Sequence, residues 1–313
     1  MIHSSQISTD SIKAKLKKEA DSGAKDFSFM LLHYFIERLL YRLSISPYAN
    51  NFILKGGLLL YTILDNKARA TRDIDFLARD IKNIPAELVR IFTEIATIPL
   101  NDAVFYDTEK IVVERIKEDT HFQGIRIKLT AHLDRSRHVL QFDIGFDDII
   151  IPHPVDMVYP TLLDMEPPRL KAYSLESVIA EKFQGIVYLA DLNSRMKDFY
   201  DIYELSRSFE FNGASLSKAI EQTFQNRNTL FSTFPMVFSN EFPLTSNKQE
   251  QWQAFQRRTG IYNVPANFSV IVDALKRFLL PVYESLAARK LFASKWDKEA
   301  GLWREAMEFQ SCI

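Results

Sequence analysis

The sequence predicts an α+β fold in which a mixed sheet flanked by helices is followed by a mainly helical part. Apolar and polar residues alternating at a period of two indicate strands in the first half of the chain, and apolar residues three and four apart indicate helices before and between them. Beyond Ser174 every strong signal is helical. The predicted strands are 52–54, 73–77, 110–116, 125–133 and 139–146, and the predicted helices beside them are 27–43, 58–64 and 85–96.

A proline-rich passage from Ile151 to Pro168 interrupts these patterns and is the best candidate linker. We therefore predict two domains, residues 1–158 with the sheet and residues 159–313 mainly helical. The second domain is expected to complete the cleft that holds the functional site. The 313 residues suffice for two domains of ordinary size, and 47% hydrophobic residues can supply their cores.

Composition and charge exclude several functional classes. The formal net charge of -1 argues against a globally basic nucleic-acid binder, although a local basic patch remains open. The single cysteine, Cys312, permits no intramolecular disulfide and no cysteine-based metal site, which fits a reducing cytoplasm. No apolar run approaches the ~20 residues that cross a bilayer, so we predict a cytoplasmic protein. The candidate basic residues are Lys13, Lys15, Lys17 and Lys18, or Arg126, Lys128, Arg135 and Arg137.

The most informative segment begins at Lys55, which precedes two glycines and a short apolar helix. Gly56 and Gly57 allow a backbone turn to approach a phosphate closely, and the N–H groups at the start of a helix attract anions. Asp73 and Asp75 are separated by one apolar residue on a strand, so both carboxylates project from the same face. Each half alone is typical of an ordinary turn or a solvated strand. Together they predict a nucleoside triphosphate site with Mg²⁺, which prefers oxygen ligands.

A third carboxylate on a neighbouring strand would complete a two-metal site. Within the predicted strand 139–146, Asp143 lies alone on the polar face. The alternative is an exposed strand residue without a function, but strand interiors are depleted in aspartate. We therefore predict Asp143 as the third metal ligand.

A second group of charged residues lies on two predicted helices after the linker. Lys182 falls within an inward-facing apolar stripe, where a buried ammonium needs an anion. Either an acid such as Glu181 neutralises it, or it reaches a ligand phosphate. On the next helix Asp198 and Asp201 share one face, so the two helices could present Lys182 and Asp198 together. Asp201 can instead pair with Lys197 one turn earlier.

The order of strand, Gly-Gly turn, helix and Asp-x-Asp strand resembles the signature of polymerase-beta-like nucleotidyltransferases. More narrowly, the chain resembles the AbiEii-like nucleotidyltransferase toxins of abortive-infection and type IV toxin–antitoxin systems, over roughly residues 38–205. It differs from many superfamily members in having Gly57 where they carry a serine. The motifs that carry the resemblance are Phe52-Ile53-Leu54-Lys55-Gly56-Gly57, Arg69-x-Thr71-x-Asp73-Ile74-Asp75, Ala180-Glu181-Lys182 and Arg195-x-Lys197-Asp198-x-x-Asp201.

The resemblance implies an enzyme that transfers a nucleoside monophosphate from a triphosphate to an acceptor hydroxyl and releases pyrophosphate. It implies two Mg²⁺ ions held by three acids, of which the third also helps to deprotonate the hydroxyl. It further implies that Lys182 contacts phosphate and that Asp198 completes the site. The predicted catalytic residues are thus Asp73, Asp75, Asp143, Lys182 and Asp198, and those predicted to bind the nucleotide are Gly56, Gly57, Lys55, Thr71 and Arg69.

The acceptor remains open at this point. The resemblance implies RNA, with tRNA 3' ends as a documented target class, or a protein, together with a separately encoded antitoxin and a role in phage defence. One alternative is a small-molecule nucleotidyltransferase of the aminoglycoside type, whose acceptor cleft would be acidic. Another is a non-catalytic nucleotide-binding protein, which would bind triphosphate without turnover.

Overall fold

A computed structural model describes residues 8–23, 26–64, 67–118, 122–232, 234–245 and 247–305, so Cys312 lies outside the described residues. The chain divides into two compact units. Unit 1 comprises Met1–Thr62, Thr71–Asp147 and Val155–Ala172, and unit 2 comprises Ile63–Ala70, Asp148–Pro154 and Tyr173–Ile313. The boundary predicted at residue 158 therefore falls inside the last segment of unit 1.

Unit 1 is built on a mixed sheet. Its elements are helices α1 (Thr9–Ser22) and α2 (Phe27–Ser44), strand β1 (Phe52–Lys55), helix α3 (Gly56–Ile63), strand β2 (Asp73–Ala78), helix α4 (Pro85–Ala96), and strands β3 (Phe105–Glu118), β4 (Phe122–Leu133), β5 (Ser136–Gly145), β6 (Val155–Val158) and β7 (Arg169–Ala172). The strand order is β3-β4-β5-β2-β1-β7-β6. Strand β2 runs parallel to β5 and antiparallel to β1, which confirms the predicted mixed sheet.

The apolar face of this sheet packs against α2 and α4. Phe76 of β2 lies 5.6 Å from Phe52 of β1, measured between ring centroids, and Phe92 of α4 lies 5.0 Å from Phe142 of β5. Ile74 is fully buried on the same strand face as Phe76. The alternation predicted for β2 therefore holds, and its aspartates lie on the opposite face from the aromatic core.

The predicted linker is wrong in part, because two strands lie within or directly after it. Strand β6 pairs antiparallel with β7, and β7 pairs in parallel with β1. The prolines lie outside both strands, where a missing N–H does not interrupt the ladder. The passage therefore extends the sheet of unit 1 instead of ending it.

Unit 2 contains helices α5 (Leu175–Leu189) and α6 (Met196–Ser208), strand β8 (Phe211–Asn212), helices α7 (Gly213–Asn226), α8 (Lys248–Thr259) and α9 (Phe268–Ala287), and strands β9 (Ser294–Asp297) and β10 (Leu302–Glu305). It is mainly helical, as predicted, and it also contains three short strands that the sequence patterns did not indicate. Strands β10, β9 and β8 form a second sheet, in which Trp296 and Trp303 are register partners. Trp303 stacks on Phe278 of α9, and Trp296 contacts the same ring at a tilt. Among the described residues, no helix combines the length and apolarity needed to cross a membrane.

Candidate active site

The Gly-Gly turn between β1 and α3 packs directly on an aspartate of β2. Gly56 has a positive φ of 68°, and a Cβ atom built there would lie 1.9 Å from Oδ2 of Asp75. The N–H of Gly57 donates to the same oxygen at 3.4 Å. Any side chain at position 56 would therefore displace the Asp75 carboxylate. The N–H group that we predicted to face a phosphate faces this carboxylate here.

A row of charged residues crosses the polar face of the sheet. The strand register pairs Glu114 with Arg126, Arg126 with Asp143, Asp143 with Asp75, and Asp75 with Lys55. Residues opposite each other on neighbouring strands share one face of a sheet. We call these five residues the charge row. Its signs alternate except at Asp143 and Asp75, which are two carboxylates side by side.

Arg126 holds Asp143 through both carboxylate oxygens. Its Nε donates to Oδ1 and its Nη2 donates to Oδ2, each at 2.7 Å, which is the strong bidentate arrangement of a guanidinium and a carboxylate. Hydrogen bonding to Asp143 is the main cause that raises the pKa of Arg126. Lys128, also predicted for a basic patch, pairs with Glu114 at 2.7 Å. These two cations therefore balance acids on the sheet.

Asp73, the other predicted metal ligand on β2, is exposed and accepts a hydrogen bond from Nε2 of Gln141 at 3.0 Å. Gln141 is its register partner on β5. Thr71 is buried, and its hydroxyl donates to the backbone carbonyl of Asp73 at 3.4 Å rather than to a carboxylate. Lys55 at the end of the charge row is also buried. The predicted strand residues of unit 1 thus lie on one face of adjacent strands, whereas Thr71 precedes β2.

The residue types and strand positions of Asp73, Asp75 and Asp143 fit a divalent cation. All three offer carboxylate oxygens, and the register places Asp75 beside Asp143. The side chains, however, are engaged elsewhere, with Asp143 on Arg126 and Asp73 on Gln141. In the part of the chain that the structure describes, no three His, Cys, Asp or Glu side chains converge as a ready metal site.

Unit 2 contains a second charged group, which we call the lysine cluster: Lys182, Asp198, Asp201 and Arg69. Nζ of Lys182 lies 2.8 Å from an oxygen of Asp198 and 2.8 Å from one of Asp201. Nε of Arg69 lies 3.1 Å from Asp201. The two cations and two anions balance, and every side chain is at most 12% exposed. The prediction that α5 and α6 present Lys182 and Asp198 together is therefore confirmed by the geometry.

The electrostatics of the lysine cluster favour its charged forms. Burial by itself lowers the pKa of Lys182, but Asp198 and Asp201 outweigh it and raise that pKa. Burial likewise raises the pKa of Asp201, but Lys182 and Arg69 outweigh it and lower that pKa. Asp201 pairs with these residues and not with Lys197, and Glu181 faces Arg227 at 3.4 Å. Of the two interpretations of Lys182, the structure shows neutralisation by acids, here Asp198 and Asp201.

Sequence reasoning placed Arg126 in a possible basic patch and missed its role beside Asp143. A usable signal existed, because strands 125–133 and 139–146 are separated by a short turn and can be aligned as a hairpin. That alignment places Arg126 opposite Asp143, which is the pairing observed between β4 and β5. Gln141 was missed in the same way. It lies two residues before Asp143 and so on the same strand face.

The fold is similar to that of a known nucleotidyltransferase toxin. MenT4, a nucleotidyltransferase toxin from Mycobacterium tuberculosis H37Rv, matches with a TM-score of 0.52 and 17% sequence identity, over 89% of this chain and 99% of that chain. JHP933 from Helicobacter pylori matches with a TM-score of 0.38 and 14% identity, over 80% of this chain and 93% of that chain. No curated protein sequence gives a significant match. The chain thus shares its overall fold with MenT4.

The family follows from the sequence. The model of the family described as "Nucleotidyl transferase AbiEii toxin, Type IV TA system" matches residues 38–274. The chain therefore belongs to the AbiEii family, and it is a nucleotidyltransferase toxin of the type IV toxin–antitoxin kind. Membership implies a nucleotide substrate and a cognate antitoxin. The predicted family and enzyme class are both confirmed.

Proposed function

We propose that this toxin transfers a nucleoside monophosphate from a triphosphate to a hydroxyl group of RNA, in a reaction that depends on Mg²⁺ and releases pyrophosphate. The observation that carries the proposal is the register of Asp75 beside Asp143, with the Gly56-Gly57 turn packed on Asp75. Two adjacent carboxylates repel each other unless a cation lies between them. The start of α3 at the same place favours an anion such as a phosphate.

The proposed roles divide between metal and nucleotide. Asp73, Asp75 and Asp143 would hold two Mg²⁺ ions, which when bound offset the charge that develops on the transferring phosphate. Asp143 would also take the proton of the attacking hydroxyl. Gly56 and Gly57 would let backbone N–H groups approach the triphosphate. Lys55, Thr71 and Arg69 complete the residues proposed to support the nucleotide.

We also propose that Lys182 and Asp198 contribute to transfer. An ammonium has three N–H donors, and Asp198 and Asp201 take two of those of Lys182. One donor is left for a phosphate oxygen. Asp198 would then act by holding the ammonium in its charged form and in one position.

A groove in unit 2 favours an anionic acceptor. Its volume is about 300 Å³, and three cations line it, Arg207, Arg277 and Lys298, against a single acid, Glu299. Such a lining repels a polycationic aminoglycoside and attracts the phosphates of RNA. We expect tRNA 3' ends as the acceptor, the cytoplasm as the place of action, and growth arrest in response to phage infection as the biological outcome.

The test incubates the purified protein with each alpha-labelled nucleoside triphosphate, Mg²⁺ and total cellular RNA, and separates RNA from protein on a gel. Asp75→Ala is compared with the wild type and with Asp156→Ala, a control at an exposed aspartate on β6 of the same unit. We expect label on RNA with the wild type and the control, and a loss of about 100-fold or more with Asp75→Ala. Omitting Mg²⁺ should abolish the label.

Three results would overturn this proposal. Wild-type transfer by a folded Asp75→Ala variant would remove the assigned site. Label on protein rather than on RNA would replace the acceptor. Triphosphate binding without any transfer would point to a small acceptor that cellular RNA does not supply.

A further inference from the structure

We propose that Arg126 is an internal counter-ion that occupies Asp143 until a divalent cation and a triphosphate bind, and that its release couples the binding of the two ligands. This inference rests on the proposed metal role of Asp75 and Asp143. It assigns Arg126 a positioning role that differs from a fixed structural ion pair, because the arginine must change partners during each cycle of ligand binding.

The carboxylate of Asp143 is occupied by Arg126. Both of its carboxylate oxygens accept hydrogen bonds from Arg126 at 2.7 Å, so the guanidinium lies where a ligated cation would come close. A divalent cation bound by the same oxygens would repel the guanidinium strongly at such short distances. Metal binding by Asp143 therefore requires Arg126 to move or to give up at least one of its two bonds.

Metal binding changes the charge balance around Asp75 and Asp143. Asp75 and Asp143 lie side by side, and Arg126 lies on the other side of Asp143. Lys55 lies beside Asp75 in the same row, so each of the two carboxylates has a cationic register neighbour. A divalent cation bound by the two carboxylates adds two positive charges, so Arg126 then becomes a surplus positive charge on this face of the sheet.

Once released, the guanidinium of Arg126 needs a new partner. Glu114, its other neighbour in the charge row, is already paired with Lys128 at 2.7 Å. The side chain of Arg126 is 31% exposed, so it can turn without opening the core. A guanidinium binds phosphate oxygens in the same bidentate manner as a carboxylate. The triphosphate is thus the matching new partner.

This exchange makes the two ligands cooperative. A triphosphate that takes the guanidinium removes the competitor of the metal, and a metal that displaces the guanidinium supplies it to the triphosphate. Such coupling is reciprocal and is typically 5–150-fold in affinity. Nucleotide should therefore strengthen metal binding beyond what its own phosphates contribute as ligands.

The experiment measures the binding of Mn²⁺, as a spectroscopic substitute for Mg²⁺, by electron paramagnetic resonance of the free ion. It compares the wild type with Arg126→Gln, with Arg126→Lys, and with Lys128→Gln as a matched control. Lys128 lies on the same strand face two residues away and pairs with Glu114 instead of Asp143. Each protein is measured alone and with a non-hydrolysable triphosphate analogue, after correction for Mn²⁺ bound by the free analogue.

Without nucleotide, we expect Arg126→Gln to bind Mn²⁺ about fivefold more tightly than the wild type. The increase in Mn²⁺ affinity that the analogue causes should be about fivefold smaller in this variant than in the wild type. Arg126→Lys keeps the positive charge but cannot make two parallel hydrogen bonds to one carboxylate. Its affinity for Mn²⁺ should therefore lie between those of the wild type and Arg126→Gln. Lys128→Gln should match the wild type. Weaker or unchanged Mn²⁺ binding in a folded Arg126→Gln variant would overturn the inference.

An Asp75→Ala variant separates this inference from the proposed function. If Asp75→Ala binds Mn²⁺ as the wild type does, the metal site itself is wrongly assigned, and the role of Arg126 falls with it. If Asp75→Ala loses Mn²⁺ while Arg126→Gln behaves as the wild type, the metal site stands and only the counter-ion role is refuted.

Discussion

The charge row of unit 1 and the lysine cluster of unit 2 differ in how their charges balance. In the lysine cluster each carboxylate touches a cation, opposite charges are equal in number, and all four side chains are nearly buried. In the charge row two carboxylates lie in register beside each other, and one of them is held by a partly exposed arginine. A cluster that is already neutral stabilises the fold, whereas a row with adjacent like charges is suited to receive a cation.

The largest effect should come from breaking the lysine cluster. Lys182→Met leaves Asp198 and Asp201 buried without their common cation, which should lower the free energy of unfolding by about 3–5 kcal/mol. Lys197→Met on the exposed side of α6 serves as the control and should change little. Urea unfolding followed by tryptophan fluorescence reports on this region, because Trp252, Trp296 and Trp303 all lie in unit 2. Equal stability of the two variants would show that the cluster is not a stabilising element.

A smaller loss is expected at the glycine turn of unit 1. Gly56→Ala combines a strained φ of 68° with a Cβ atom 1.9 Å from the Asp75 carboxylate, so we expect a loss of about 3 kcal/mol in unfolding free energy. Gly260→Ala is a matched control, since Gly260 has a φ of 71° but open space around its Cβ position. It should lose only about 1–2 kcal/mol, from backbone strain alone. Urea unfolding followed by far-ultraviolet circular dichroism measures both.

Equal losses in the two glycine variants would mean that Asp75 moves freely out of the way. The carboxylate of Asp75 would then not be held against the turn, and the charge row would have no fixed geometry at that residue. A larger loss at Gly56 would confirm that the turn and Asp75 form one unit.

The third prediction concerns a buried acid of unit 1 that lies outside the charge row. Glu37 is fully buried, accepts a hydrogen bond from the N–H of Leu162 at 2.7 Å, and lies 3.4 Å from Arg38. Burial is the main cause that raises its pKa from 4.5 to about 7. The folded state therefore holds this proton more tightly than the unfolded state, so stability is lost as pH rises between these two values.

The expected change at Glu37 is at most about 3 kcal/mol in unfolding free energy between pH 4.5 and pH 7. Glu37→Gln keeps an oxygen that accepts from Leu162 but cannot ionise. The variant should therefore gain stability relative to the wild type as pH rises, which denaturant unfolding at pH 5 and pH 8 would measure. A constant difference between the two proteins at both pH values would contradict the assignment of this titration to Glu37.

Local patterns predicted much of unit 1. Helix α4 begins and ends at the predicted residues, Pro85 and Ala96, and the alternation of β2 correctly separated its aspartates from its aromatic core. The failures are short elements. Strands β8, β9 and β10 have two to four residues each, which is too short for an alternation of apolar and polar residues to be recognised in the sequence. Their stability comes from packing of Trp296 and Trp303 on Phe278, which is a contact between distant segments.

The sequence by itself determined which side chains share a face, because the periods of strands and helices are properties of adjacent residues. It also determined the family, since the family model matches the sequence itself over residues 38–274. Only the tertiary structure decided the partners of the charged groups. Arg69 binds Asp201, 132 residues away, and Arg126 binds Asp143 across a strand pair, although both arginines were predicted for phosphate or nucleic acid. A charge pairs with whichever opposite charge the fold brings within a few ångströms, and that proximity is set by chain topology.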